Sequence, residues 1–108
     1  MRSSVRTSVI VELSITPLGE GVSVSKFLIP ALKELEKHGL KYNITPMCTV
    51  FEAGSVEEAF RVVEAAHEAV FKIGAKRVVT TVKIDDRRDI RRDMEEKVKS
   101  LEKAIKKA

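Results

Sequence analysis

The 108-residue sequence predicts an α+β fold of the ferredoxin-like kind: a β-α-β-β-α-β sandwich with an antiparallel four-stranded sheet in the order 4-1-3-2, plus a C-terminal helix. Three observations carry this. Four short stretches alternate apolar and polar residues with period two. Two longer stretches carry apolar residues three and four apart and stop at a glycine. The length suits one core and is too short for two, so residues 1–108 read as one domain. Right-handed crossovers then select this strand order.

Residues 1–7 read as a flexible lead-in. From Ser8 to Thr16, Val9, Val11, Leu13 and Ile15 fall on one face and Ile10, Glu12 and Ser14 on the other, which makes strand one. The stretch Glu12 to Lys26 then passes from strand through a Pro17-Leu-Gly19-Glu-Gly21 turn to a helix start at Ser23 and Ser25. Backbone N–H groups at such a start can serve an anionic or strongly polar ligand. The simpler reading, favoured on this stretch alone, is that the glycines make the turn and a serine caps the helix. Helix one follows with Val24, Phe27, Leu28, Ala31, Leu32 and Leu35 as its buried stripe, ending at His38-Gly39. Pro30 removes an interior hydrogen bond, so this helix starts late or bends.

Lys41 to Thr45 reads as strand two and Thr49 to Ala53 as strand three, joined irregularly through Pro46-Met47-Cys48. Ser55-Val-Glu-Glu58 is a capping box, predicting that the Ser55 hydroxyl and the Glu58 carboxylate satisfy each other's backbone donors. Helix two carries Val56, Ala59, Phe60, Val63, Ala66, His67, Val70 and Ile73 to Gly74. Arg77 to Asp85 is strand four. The charged turn Asp85-Asp86-Arg87-Arg88-Asp89 can cap a last helix, over 89–107, whose narrow seam is Ile90, Met94, Val98, Leu101 and Ile105. So narrow a seam on so charged a helix predicts packing against an edge or a partner subunit.

Composition excludes several function classes. The +4 net charge comes from 20 basic and 16 acidic residues, mostly interleaved, which gives no nucleic-acid footprint. A lone Cys48 excludes an internal disulfide, and His38 and His67 lack partners at ligand spacing, so no metal is expected. No segment has the ~18 apolar residues of a membrane span. No secretory leader is read at the N-terminus, and a cytoplasmic protein is expected. His67 is expected to be packed or hydrogen-bonded, and the Asp85, Asp86 and Asp89 cluster to cap and ion-pair rather than bind magnesium.

In this architecture both helices cover one face of the sheet. Ile10, Glu12, Ser14, Thr45, Val50, Glu52, Thr81 and Lys83 are assigned to the other. Glu12 on a central strand needs a partner: Lys83 on strand four, a cationic or amidine-like ligand, or an interface contact.

Several phrases resemble the small thiamine-binding, YkoF-like family, many of whose members are known as conserved hypothetical proteins. They are Glu12-Leu-Ser-Ile-Thr-Pro-Leu-Gly19 with Ser23-Val-Ser25, then Tyr42-Asn-Ile-Thr-Pro-Met47-Cys48-Thr49 with Glu52, then His67 to Arg77 and Val78 to Arg88. Cys48 departs from the family pattern, in which glycine is more usual. The resemblance implies a ferredoxin-like homodimer or homotetramer that binds thiamine or its hydroxymethylpyrimidine half in the cytoplasm, with no catalytic residues and no resident cofactor. It implies Glu12 or Glu52 against the amino group and the cationic ring. Ser14, Thr45, Thr49 and Met47 would meet the remaining pyrimidine edge, and Ser23 and Ser25 the hydroxyethyl tail or a phosphate on it. Tyr42 and Phe51 are the nearest candidates for stacking. The alternative is an oligomeric interaction or regulatory module that binds another small molecule or an anion and uses its open sheet face for assembly. An enzyme or RNA binder on the same fold is weaker, because RNA-binding sheets of this topology need exposed aromatics on the central strands.

Overall fold

A computed structural model describes residues 8–22, 24–90 and 93–108, and the lead-in, Ser23, Arg91 and Arg92 lie outside the described residues. The chain runs β1 (Val9–Pro17), α1 (Ser25–Lys37), β2 (Tyr42–Ile44), β3 (Thr49–Ala53), α2 (Val56–Lys72), β4 (Val78–Asp85) and α3 (Met94–Lys107). The four strands form one antiparallel sheet in the order β2-β3-β1-β4, the expected arrangement read from its other edge.

The alternation in β1 sorts its residues as predicted. Val9, Val11, Leu13, Ile15 and Pro17 are buried on the face that α1 and α2 cover, while Glu12 and Thr16 are exposed on the other. Phe51, Leu35, Val11, Val62 and Val70 lie at the centre of the core and are fully buried. α1 runs unbroken from Ser25, so Pro30 sits inside it and leaves the Lys26 carbonyl without its helical donor.

Three local expectations need correction. The Ser55 hydroxyl accepts from the Glu58 N–H at 3.0 Å, but the Glu58 carboxylate takes the N–H of Gly54, at 2.6 Å, rather than that of Ser55. The box therefore slides one residue outward and ties the strand end to the helix. Phe60 and Ile73 do not join the buried stripe of α2. They are 55% and 46% exposed, because Val62 and Ala69 complete a stripe one position round the helix. α3 starts at Met94 rather than at residue 89. Asp93 is its cap, reciprocating with Glu96 at 2.8 and 3.0 Å, while Asp86 and Asp89 are occupied by Arg88 and Arg87. The Arg87 fork holds the Asp89 carboxyl at about 2.

α3 is attached by its first turn. Glu52, half-buried on the open sheet face, accepts the Met94 N–H at 2.8 Å, and Met94 is buried there. Lys41 pairs with Glu95 at 2.8 Å, a hydrogen bond that raises the lysine's pKa, and Lys97 pairs with Asp85. Beyond Met94 every residue of the helix is exposed, including Val98, Leu101 and Ile105. His67 lies on α2 with Nδ1 2.7 Å from the Thr80 hydroxyl and its ring edge against Phe71, as a packed, hydrogen-bonded histidine should.

Candidate functional site

β1 is nine residues long and β3 only five, so the two cannot pair throughout. Their ladder runs from Val9↔Ala53 to Leu13↔Thr49 and stops, whereas β1 continues against β4 as far as Pro17↔Val78. The second half of β1 is thus a strand with one neighbour. Where β3 would have been, the chain turns through 45–48, and α1 passes over the opening.

The result is a cavity of about 250 Å³. Val24, Leu28, Ala31, Leu32 and Leu35 of α1 form its apolar wall. Leu13, Ser14, Ile15 and Thr16 of β1 form the opposite side, and Ile44 to Thr49 the rim. Consecutive β1 residues, which point to opposite faces, all line it, so it is the edge of the strand that borders the cavity.

The rim is held at Thr45, chiefly by its hydroxyl. Thr45 Oγ1 donates to the Cys48 carbonyl at 2.9 Å and accepts from the N–H groups of Met47 and Cys48, at 3.3 and 3.1 Å. The Thr45 N–H also donates to the Cys48 carbonyl, at 2.9 Å. Such a side-chain clasp fixes a short turn without help from neighbouring strands.

Of the residues expected to bind a ligand, Ser14, Thr45, Met47 and Thr49 come together here. The Thr45 hydroxyl is already committed to the turn, which leaves Ser14, Thr16 and Thr49 as the lining hydroxyls with capacity to spare. Ser25, the first residue of α1, is exposed and borders the cavity only through its neighbour Val24. Ser23 lies outside the described residues. Glu12 stands on the open face directly opposite Lys83, and among the described residues no ion pair joins them. Glu52 is spent on the start of α3. The aromatic candidates are elsewhere too: Phe51 is in the core, and the Tyr42 hydroxyl donates to Glu36 at 2.7 Å, a bond that raises its pKa. Among the described residues no cluster of His, Cys, Asp or Glu could hold a metal ion, and no helix is long and apolar enough to cross a membrane.

Periodicity assigns Leu28, Leu32 and Leu35 to core and says nothing of a cavity. The signal that could have found it is the mismatch between a long β1 and a short β3 that begins only after Pro46.

A family model described as thiamine-binding protein matches residues 11–102. A UPF0045 protein of Methanothermobacter thermautotrophicus is 43% identical over 95 residues, covering 87% of this chain and 96% of its own. One from Staphylococcus xylosus is 46% identical over 101 residues, covering 89% and 94%. Among solved structures, the hypothetical protein MJ1052 of Methanocaldococcus jannaschii superposes with a TM-score of 0.81 at 37% identity, over 88% of this chain and 96% of that one. A candidate thiamine biosynthesis/salvage protein of Thermotoga maritima superposes with a TM-score of 0.73 at 26% identity, over 87% and 98%.

Proposed function

This chain belongs to the thiamine-binding protein family, and from that premise we propose that it binds thiamine, or the hydroxymethylpyrimidine half of it, without catalysing a reaction. The binding place is the cavity between β1, α1 and the 45–48 turn. The observation that carries this reading is the make-up of the cavity: an apolar wall on one side and a polar strand edge on the other, the surroundings that a flat heterocycle with hydrogen-bonding groups on its rim requires. Its volume, about 250 Å³, is below the ~300–1,000 Å³ usual for drug-sized ligands, so one ring enters and the other stays at the mouth. Met47, highly exposed on the rim, supplies a polarisable contact for a ring where no aromatic is present. On this reading Ser14 and Thr49 contact the ligand, and Glu12 and Glu52 do not.

Calorimetric titration with thiamine, its phosphates and hydroxymethylpyrimidine tests it. Saturable binding that Leu28→Trp abolishes is the expected result. A flat titration across the panel, with folded protein, overturns it.

A second reading, assembly through self-association, is favoured by α3. Its apolar seam of Val98, Leu101 and Ile105 is exposed, and its first turn is acidic (Glu95, Glu96) while its last is basic (Lys106, Lys107). Two such helices placed antiparallel bury each other's seam and match acidic ends to basic ones. Leu101→Glu should then lower the mass measured by light scattering, and an unchanged mass contradicts this reading.

A further inference from the structure

In an antiparallel ladder, opposed residues alternate between pairs that exchange both backbone hydrogen bonds and pairs that exchange none. The Leu18 N–H donates to the Arg77 carbonyl at 2.8 Å, which sets the phase: Leu18, Thr16, Ser14, Glu12 and Ile10 turn their backbone groups toward β4. The odd-numbered residues of β1 turn theirs the other way, toward β3. The phase of β3 agrees, because the Glu52 N–H donates to the Lys41 carbonyl and so the odd residues of β3 face β1. Val9, Val11 and Leu13 accordingly meet Ala53, Phe51 and Thr49. Ile15 is next in the series, and β3 has ended.

The N–H and C=O of Ile15 therefore face into the cavity from a residue only 9% exposed, and among the described residues no backbone or side-chain group bonds to them on that side. A donor and an acceptor on a cavity wall without protein partners are left to water or to a ligand that supplies the complement. Pro17, two residues on and in the same phase, offers no N–H, so Ile15 is the last residue of β1 able to present both groups.

We propose that the peptide groups of Ile15 read the ligand, and that what they select is a ring edge carrying an acceptor beside a donor. This rests on the thiamine-binding reading and extends it. A 4-aminopyrimidine has such an edge: ring nitrogen N3 accepts the Ile15 N–H, and the 4-amino group donates to the Ile15 carbonyl. A thiazolium has no such edge. The pyrimidine therefore goes in first and the cationic ring is left toward the mouth. Selectivity resides in the backbone, which explains why a cavity with few polar side chains can be specific.

The test uses the full-length chain and three compounds: hydroxymethylpyrimidine, its 4-oxo analogue, in which N3 carries a proton and the edge is reversed, and its 3-deaza analogue, which lacks the acceptor. Binding to the oxo analogue should be weaker by ~100-fold and to the deaza analogue by ~10-fold, since each leaves buried groups facing like or absent partners. In ¹⁵N-labelled protein the Ile15 amide proton should move downfield with the amino compound alone. Equal affinity for the amino and oxo compounds, or an Ile15 amide that does not shift on saturation, overturns the reading at Ile15 while leaving the cavity as the site. Failure of all three to bind overturns the thiamine-binding reading beneath it.

Discussion

The two halves of β1 have the same alternation and the same neighbour on one side, but they do different things. Ile10 to Leu13 is flanked by β3 and β4, and its inward side chains are buried against a core that includes the fully buried Phe51. Ser14 to Pro17 has β4 alone, and on the vacated side lies a cavity instead of a strand. One strand thus serves as framework at one end and as a cavity wall at the other, and the boundary is the residue at which β3 begins. Strand length, rather than residue type, decides where this cavity lies.

Substitutions should separate the halves. The largest effect belongs to the doubly flanked half. Phe51→Ala removes a fully buried ring and should cost ~3–5 kcal/mol in urea unfolding. A loss below ~1 kcal/mol would mean that the core does not depend on this half. Leu28→Trp acts on the other half alone. It fills the cavity from the α1 side and should weaken pyrimidine binding ~100-fold or more, with stability changed by no more than ~1–3 kcal/mol. Retained affinity would place the ligand elsewhere.

Thr45→Val sharpens the contrast by loosening only the rim. The clasp on Cys48 and Met47 is lost for a stability cost of ~1 kcal/mol, and affinity should fall several-fold while amide exchange in the Val9–Leu13 ladder is unchanged. Glu52→Gln leaves both halves intact and weakens the anchoring of α3 by ~0.3–1 kcal/mol, seen as faster exchange of the Met94 amide with unaltered ligand binding.

The smallest effect is acid titration of the turn before α3. The Asp89 carboxyl is depressed from 3.8 to about 2 by Arg87, so its contribution is present above the ordinary carboxylate pKa and is lost as pH falls through about 2. Carbon-detected NMR titration should find Asp89 titrating about two pH units below an ordinary aspartate while pyrimidine binding does not follow it.

The fold was legible because two periods of hydrophobicity, the glycines after the helices and the capping residues all agree on one arrangement. Errors arose where one residue of phase mattered. Phe60 matches a helical stripe as well as Val62 does, and only packing between α1, α2 and the sheet chooses between them. Asp89 and Asp93 are equally good caps in isolation, and Arg87 removes the first. Of the site, the turn after Ile44 and its neighbours Ser14 and Thr49 could be read from residue types. The role proposed for Ile15 could not, because it belongs to a peptide group whose direction depends on ladder register. Glu12 and Glu52 stand out in the sequence as carboxylates on central strands, yet sequence cannot say that the edge of the strand, not its open face, borders the cavity, or that Glu52 meets a helix 42 residues away.

A length of strand edge without a neighbour is ordinarily a hazard, since it invites the strands of other chains to add and polymerise. Here the vacancy is too short for that. Pro17 closes it on one side with a residue that cannot donate, the Thr45–Cys48 turn blocks it on the other, and α1 roofs it. A passing strand would find a single residue to pair with, whereas a small heterocycle needs no more than one. The same geometry that leaves the edge open to the cavity therefore guards it against pairing with the strands of other chains.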